Sequence, residues 1–424
     1  MTYEETLAHI YGLRRFGIRP GLGRVSSLLA RLGNPQDSIR AVHVAGTNGK
    51  GSTAAFLSSI LAAGGYRAGL FTSPHLVSFT ERFRINGVEI GRESARSLAE
   101  RVLAAALDGT TFFELVTAMA ILHFAEEKVD IAILEAGMGG GLDATNAASG
   151  ILTVITPVAL DHCEWLGETV SEIAREKAGI IKPERPVVLA EQPDEVQGIF
   201  AERCRLLGSP LRRFGSDFSA SWRDEVLFYQ GLEHAFADLR SGIGGRYQVV
   251  NVATALAAAE LLAGAGFPLD GDALRQGVAE ARWPGRMELF PGEPSILLDG
   301  AHNPAGARAL AASLDGIARK RLVLVAGVMG DKDAAGILDP LIPLADEAVT
   351  VTPLVERGLP AERLAAFCRD RGLPAIAGGA VAPGLSLARE RAGSDGLVLV
   401  CGSLFTVGEA RAALFDSPYE PFRG

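Results

Sequence analysis

Lys50 stands in the run Ala45-Gly46-Thr47-Asn48-Gly49-Lys50-Gly51-Ser52-Thr53, the one cation of a glycine-rich stretch. Backbone N–H groups of such a turn point at one spot, and a helix that starts there adds positive potential. A lysine in this setting reaches terminal phosphates as a point charge, and Ser52 or Thr53 offers a hydroxyl to a magnesium ion. The spacing departs from the general phosphate-loop pattern, because Val44 takes the first glycine position and Gly51 separates Lys50 from Ser52. The flanks are what the pattern requires: residues 39–44 read as a buried strand and residues 54–61 as a helix. The plain alternative is a glycine-rich turn with a chance lysine.

Further groups stand where strands are expected to end. Residues 67–71 read as a strand, followed by Thr72-Ser73-Pro74-His75-Leu76. Residues 129–134 read as a strand running into Glu135 and the glycine-rich Ala136 to Asn146, and residues 151–155 as one leading to Asp161-His162. Ligands of parallel α/β sheets bind beyond the carboxyl ends of the strands, and a carboxylate there holds magnesium directly or through water. Each station has an ordinary reading as well. Thr111 with Glu114 fits a capping box. Lys177, in the last turn of a helix over residues 169–177, normally serves the dipole and solvent. The loop Arg19-Pro20-Gly21-Leu22-Gly23-Arg24 connects a helix over residues 3–16 to one over residues 24–32.

These groups need a large scaffold. The chain has 424 residues, 48% of them apolar, which implies two or more domains. A net charge of −9 argues against general nucleic-acid binding but leaves small anionic substrates open, since local patches of either sign persist. The four cysteines are scattered without zinc or disulfide spacing, so a reducing cytoplasm is expected. The N-terminus is acidic and lacks the apolar core of a signal peptide, and no apolar run is long enough to span a bilayer. Residues 211–248 read as antiparallel strands, and helices are expected over residues 248–265 and 270–281. Arg282-Trp283-Pro284-Gly285-Arg286 breaks the pattern. Strands over residues 295–298, 322–325, 347–351 and 396–400 then imply a second doubly wound sheet. The expected fold is α/β: a P-loop parallel-sheet ATPase-like domain over residues 1–285 and a smaller Rossmann-like α/β domain over residues 286–424.

Seven stations in register resemble the folylpolyglutamate synthase and dihydrofolate synthase family, a branch of the Mur-ligase-like ATP-dependent amide ligases. They are His43 to Ser52, Thr72 to Leu76, Thr111-Phe112-Phe113-Glu114, Asp161-His162, Glu176 to Ile180, Trp283 to Arg286 and Asp299-Gly300-Ala301-His302-Asn303-Pro304. The resemblance covers nearly the whole chain. It implies that Thr47, Asn48, Gly49, Lys50, Gly51 and Ser52 wrap the phosphates of ATP. Ser73 and Glu135 would hold one Mg2+ and His162 a second. Lys177 matches a lysine that is carbamylated in relatives. Asn251 matches an adenine-reading position, and Arg286 and Asp299 match contacts to phosphates and ribose. Gly21, Leu22, Gly23 and Arg24, with Thr111, Phe112, Phe113, Glu114 and Leu142, match the pterin-binding surface. His302 and Ser403 resemble positions that face the incoming glutamate. Relatives usually carry Arg where Gly141 stands and Leu where Met138 stands, which bears on the pterin contacts and not on the metal site.

The implied chemistry joins L-glutamate to dihydropteroate, to reduced folates or to both. A carboxylate attacks the γ-phosphorus of ATP to give an acyl phosphate and ADP, and the glutamate amine then displaces phosphate. Magnesium and Lys50 offset charge on the transferring oxygens, and domain closure protects the acyl phosphate from water. The expected enzyme is a cytoplasmic monomer with small-molecule partners and neither nucleic acid nor membrane. Three alternatives stand beside it. A peptidoglycan Mur ligase needs a substrate domain ahead of Gly46, and 45 residues are few for one. A generic P-loop ATPase or kinase has no use for the Asp299–Pro304 station. A non-catalytic scaffold predicts loss of Lys50, Glu135 or His162, and all three are present.

Overall fold

The structure, a computed structural model, describes residues 1–13, 17, 21–317 and 319–421. The chain divides into two compact units. The first comprises Met1–Pro74, Thr80–Gly242 and Gln248–Arg282, and the second His75–Phe79, Ile243–Tyr247 and Trp283–Gly424. Two short excursions thus belong to the second unit although no composition shift marks them.

Strands covered by helices on both faces need continuous apolar runs rather than alternation, and the first unit is built from such runs. Its strands are β1 (Ala41–Ala45), β2 (Ala68–Phe71), β3 (Phe83–Ile85), β4 (Val88–Glu89), β5 (Ile131–Glu135), β6 (Gly150–Ile155), β7 (Val187–Leu189) and β8 (Leu211–Arg213). They form one sheet in the order β4-β3-β2-β5-β1-β6-β7-β8. All pairs from β2 to β8 are parallel, and β3 and β4 add an antiparallel edge. The order places β2, β5, β1 and β6 side by side, so the segments beyond their carboxyl ends are neighbours about 4.8 Å apart per strand.

The strand β8 departs from the antiparallel reading of residues 211–248. It pairs parallel with β7, because the helix Asp194–Leu207 supplies the crossover that a parallel neighbour requires. The antiparallel expectation holds for β9 (Ser219–Arg223), β10 (Val226–Gln230) and β11 (Ala235–Leu239), a separate three-stranded sheet. Glu260, in the helix Gln248–Ala263, anchors that sheet. Its carboxylate accepts from Tyr229 Oη at 2.9 Å and from the amides of Leu232 and His234 at 2.8 Å each.

The helices Val170–Ala178 and Asp194–Leu207 bury Ile173, Ala174, Val196 and Phe200 against Ile155, Val187 and Leu189. The helix Lys50–Ala63 is crossed closely by Gly271–Glu280, where a Cβ on Gly277 would sit 2.3 Å from Ile60 Cα. The helix Tyr3–Gly12 carries a capping box from Thr2 and Glu5. The expected continuation to Phe16, and Arg19 and Pro20 of the arginine loop, lie outside the described residues.

In the second unit the strands are β12 (Glu288–Phe290), β13 (Ser295–Leu298), β14 (Leu322–Ala326), β15 (Glu347–Thr352), β16 (Ala375–Ala380) and β17 (Leu397–Cys401). Their order is β12-β13-β17-β14-β15-β16, all parallel except β12. One face packs Ala307, Leu310, Ile337, Leu364 and Cys368, and the other Val381, Leu385, Val407 and Ala410. This is the doubly wound architecture expected. No helix among the described residues is long and apolar enough to cross a membrane.

Candidate active site

The phosphate loop follows β1. Gly46 has φ +143°, and a Cβ there would lie 1.9 Å from Thr156 Oγ1, so only glycine fits. The amides of Thr47 and Asn48 donate to Pro157 O at 2.9 and 3.1 Å, which ties the loop to the segment after β6. Gly49 has φ +84° and caps the helix that opens at Lys50, four residues earlier than the apolar periodicity indicates. The first intrahelical bond is Thr53 N to Gly49 O. The amides of Lys50, Gly51 and Ser52 therefore have no intrahelical acceptor and face the loop's opening with the dipole behind them. Lys50 Nζ folds back to Thr47 O at 3.2 Å.

The hydroxyls of Ser52 and Thr53 are buried, and Gln248 Nε2 donates to the first at 3.4 Å while the second donates to Asn251 Oδ1 at 3.4 Å. They are oriented into the core. Asn251 lies directly against the loop, where a Cβ on Gly49 would meet its Oδ1 at 2.2 Å. Its Nδ2 donates to Gln248 Oε1 at 2.7 Å, which fixes the carboxamide in place.

Glu135 ends β5 and is 5% exposed. The amide of Ser73, two residues beyond β2, donates to Glu135 Oε2 at 3.2 Å. The adjacency of β2 and β5 brings these two together. An oxygen-only pair suits a hard divalent cation, which takes one or two carboxylates and completes its shell with phosphate oxygens and water. His162 lies seven residues past the end of β6, with φ +52° at the start of the short helix Cys163–Leu166. Its ring is 3.9 Å from Asp161 Oδ2 and nearly half exposed. Among the described residues no three His, Cys, Asp or Glu side chains form a ready-made ligand cluster.

Lys177 is not the solvent-facing lysine that its helix position suggests. It is 4% exposed and its Nζ donates to Gly46 O, inside the phosphate loop, at 2.8 Å. Burial, and secondarily the charge of Lys50, lower its pKa to about 7. The loop after Glu135 seats it, since a Cβ on Gly140 would lie 2.6 Å from Lys177 O. Asp143 shapes that loop by accepting from Met138 N, Thr145 N and Thr145 Oγ1 at 2.9, 3.0 and 2.6 Å.

On the expected pterin surface the capping box is real. Thr111 Oγ1 accepts from Glu114 N at 3.3 Å, and Glu114 Oε2 accepts from Thr111 N at 2.8 Å. Both side chains are buried in that cap, and Arg24 pairs with Glu114 at 3.0 Å. These polar groups brace the wall rather than line it. Phe113, partly exposed, and Leu142, 50% exposed, are the apolar faces on offer. Phe113 sits over Gly137, where a Cβ would come within 2.4 Å of its ring. Gly21, Leu22 and Gly23 precede Arg24 at the start of the helix Gly23–Arg31. Phe112 is buried and stacks on Tyr11 at 5.7 Å.

Sequence reading missed Arg82. It is 1% exposed, with its guanidinium 5.3 Å from the centre of the Phe112 ring, and burial lowers its pKa to about 10 against the opposing pull of Tyr11, Glu81 and Glu135. An arginine after Phe79-Thr80-Glu81 was the one available signal.

In the second unit Asp299 is buried and its carboxylate accepts from Tyr247 Oη, Met287 N and Ala301 N at 2.7, 3.0 and 2.9 Å. Its first effect is to order this turn, whatever a ribose adds. Arg286 crosses Gly300, where a Cβ would collide with Nη1 at 2.0 Å. His302 Nδ1 lies 2.8 Å from Gly300 O, so Nδ1 carries the proton and Nε2 is the accepting nitrogen in the neutral ring. Asn303 and Ser403 cap the helices Pro304–Ser313 and Leu404–Leu414, which come after the adjacent strands β13 and β17. Helix N-termini that follow adjacent parallel strands favour an anion such as a carboxylate.

The chain matches the Mur ligase middle domain over residues 44–259 and the Mur ligase glutamate ligase domain over residues 285–404. The dihydrofolate synthase/folylpolyglutamate synthase of Bacillus subtilis (strain 168) is 36% identical over 430 residues, spanning 97% of this chain and 99% of that protein. Among solved structures, Escherichia coli FolC in complex with DHPP and ADP superposes with a TM-score of 0.89 at 34% identity, over 97% of this chain and 98% of that one. The bifunctional folylpolyglutamate synthase/dihydrofolate synthase of Yersinia pestis, complexed with AMPPNP and a Mn ion, gives 0.88 at 34% identity over 98% of each chain.

Proposed function

This chain belongs to the folylpolyglutamate synthase and dihydrofolate synthase family of Mur-ligase-like enzymes, and on that premise we propose that it serves both steps named in the family, glutamate addition to dihydropteroate and to reduced folates. It is an ATP-dependent ligase of folate metabolism. A nucleotide and a divalent metal are its cofactors, as the ADP-bound and AMPPNP–Mn-bound neighbours carry them. What supports the dual reading is the apolar surface that Phe113 and Leu142 offer, with Phe113 in the first turn of the helix capped by Thr111 and Glu114, the partner of Arg24. Apolar surface of this kind packs on a dihydropterin and a tetrahydropterin alike, because the two rings differ in reduction and not in outline, and the acceptors differ further only beyond the ring.

The chemistry follows from the residues. ATP phosphates lie against the amides of Lys50, Gly51 and Ser52, and Lys50 Nζ leaves Thr47 O to meet them. Ser73 and Glu135 would hold one Mg2+, and His162 would hold a second. The metal, when bound, polarises the γ-phosphoryl oxygens and screens their charge from the attacking carboxylate. That attack gives an acyl phosphate, since a carboxylate has no leaving group until it is phosphorylated. The Asn303 and Ser403 helix starts, with His302, suit the carboxylates of glutamate, and its amine then expels phosphate. Lys177, buried and neutral in part at pH 7, captures carbon dioxide as a carbamate, which reverses the sign of its charge beside Lys50. Four free cysteines, three of them buried, support a reducing compartment.

The deciding experiment is a product assay with ATP, Mg2+ and L-glutamate, offering dihydropteroate and tetrahydrofolate separately. Amide product with each is expected. Product with tetrahydrofolate alone reduces the enzyme to folylpolyglutamate synthase activity, and ADP release independent of both pterins refutes the ligase reading.

A further inference from the structure

The motif Thr72-Ser73-Pro74-His75-Leu76 gives its serine to the metal end of the site, while its last two residues open a segment with different neighbours. That segment, His75–Phe79, belongs to the second unit. There one residue near the end of the chain, Glu420, makes four hydrogen bonds to it. Glu420 N donates to Val77 O at 2.9 Å. Glu420 O lies 2.8 Å from His75 Nε2. The carboxylate oxygen Oε2 accepts from Phe79 N at 2.8 Å and from Ser78 Oγ at 3.2 Å. The main-chain pair resembles a strand ladder, and the side chain extends it by two residues.

Packing points the same way. Leu76 and Val77 are buried at 8% and 7% exposure in the core that holds Val407 and Ala410, with Tyr419 packed against it. The helix Leu404–Leu414 approaches so closely that a Cβ on Gly408 would lie 2.1 Å from Leu76 O. The segment is held over its whole length, by the main chain of Glu420 at His75 and Val77 and by its carboxylate at Ser78 and Phe79. Only Pro74 separates the held segment from Ser73, whose amide orients Glu135. A turn fixed at the residue after Pro74 has few conformations left for Ser73, whereas a turn released there has many, and ordering them again on metal binding costs free energy.

We propose that Glu420 is a positioning residue of the ligase, clasping His75–Phe79 so that Ser73 and Glu135 stay arranged for the metal. The proposal rests on the reading of Ser73 and Glu135 as magnesium ligands. His75 acquires a role in it, since its ring supplies the donor to Glu420 O.

The test compares the parent with Glu420→Ala and Glu420→Gln in the full chain. Binding of Mn2+ in the presence of ADP is measured by the loss of the free-ion paramagnetic resonance signal, and ligation is measured against Mg2+ concentration. Glu420→Ala is expected to weaken Mn2+ binding several-fold and to raise the half-saturating Mg2+ concentration by a similar factor, with turnover at saturating Mg2+ little changed. Glu420→Gln keeps an oxygen acceptor for Phe79 N and should restore most of the affinity. A merely structural role lowers thermal stability without moving the metal curves. Should Glu420→Ala fail to fold, Ser78→Ala removes one bond of the clasp and is expected to shift both curves in the same direction by less. Metal curves that coincide with the parent's in these variants, at whatever thermal stability, overturn the proposal. A parent that binds no Mn2+ with ADP refutes the metal reading instead, and the clasp's function with it.

Discussion

Replacing Lys177 with methionine separates a buried reactive amine from an ordinary helix-terminal lysine. Burial, aided by Lys50, moves the Lys177 pKa from 10.5 to about 7. At pH 7 about half of the amine is then neutral, on the order of a thousand-fold more than in an unperturbed lysine. That neutral fraction is what carbon dioxide can capture. The same displacement fixes the sign of a stability effect. The folded pKa lies below the unfolded one, so the unfolded chain binds more protons between pH 7 and 10.5, and stability rises with pH across that window. The whole rise amounts to about 5 kcal/mol at ~1.4 kcal/mol per unit, and below pH 7 the group contributes no slope. Denaturant unfolding in carbon-dioxide-free buffer should show this slope in the parent and a flatter curve in Lys177→Met. With 13C-bicarbonate, the parent should give a carbamate carbon resonance that Lys177→Met lacks. Ligation by Lys177→Met should fall by roughly 10²-fold, the scale of losing one oriented charge in a closed site, and a short carboxylic acid should restore part of it. Parent-level turnover in Lys177→Met, or the same pH slope in both proteins, refutes the reasoning.

Lys50→Ala should leave the fold intact, since Nζ donates to Thr47 O within its own loop, and should abolish product formation; near-normal turnover in a folded variant removes Lys50 from the phosphate site. Glu135→Gln keeps the shape of the side chain but not its charge, so Mn2+ affinity measured with ADP should drop while thermal stability holds, and unchanged affinity would place the metal elsewhere. His43 is buried and held neutral, its pKa lowered to about 4 chiefly by desolvation. The unfolded chain therefore takes up a proton first as pH falls from 6.5 to 4, and the protein should lose up to about 3 kcal/mol there at ~1.4 kcal/mol per unit; His43→Gln should flatten that limb, and an unaltered acid limb would discount the burial argument. Glu114→Ala removes the capping partner and the ion-pair partner of Arg24, and should cost about 1 kcal/mol of stability and raise KM for the pterin acid more than it lowers kcat; a stability loss with unmoved KM would restrict Glu114 to the helix start.

Much of this protein is written locally. The phosphate loop, the strand runs around it and the cap at Thr111 are legible because each depends on a few consecutive residues: a glycine where φ is positive, an apolar run, a hydroxyl three residues before a glutamate. Even so, local patterns misjudged what the side chains touch. Ser52 and Thr53 look like magnesium hydroxyls by spacing, yet they turn towards Gln248 and Asn251, nearly two hundred residues away. The sheet order β2-β5-β1-β6 is not the chain order, and it alone makes neighbours of Ser73 and Glu135. The parallel placement of β8 and the clasp of Glu420 on His75–Phe79 are likewise fixed by distant pairing. Lys177 shows the division most plainly. By sequence it is a basic residue in a last helical turn, where the dipole favours the charged form. Its real surroundings are set by Gly140 beneath it and Gly46 above it. Desolvation depends on every atom packed within a few ångströms, whichever part of the chain supplies it. A sequence therefore specifies which groups can ionise, and only the tertiary packing decides which of them do.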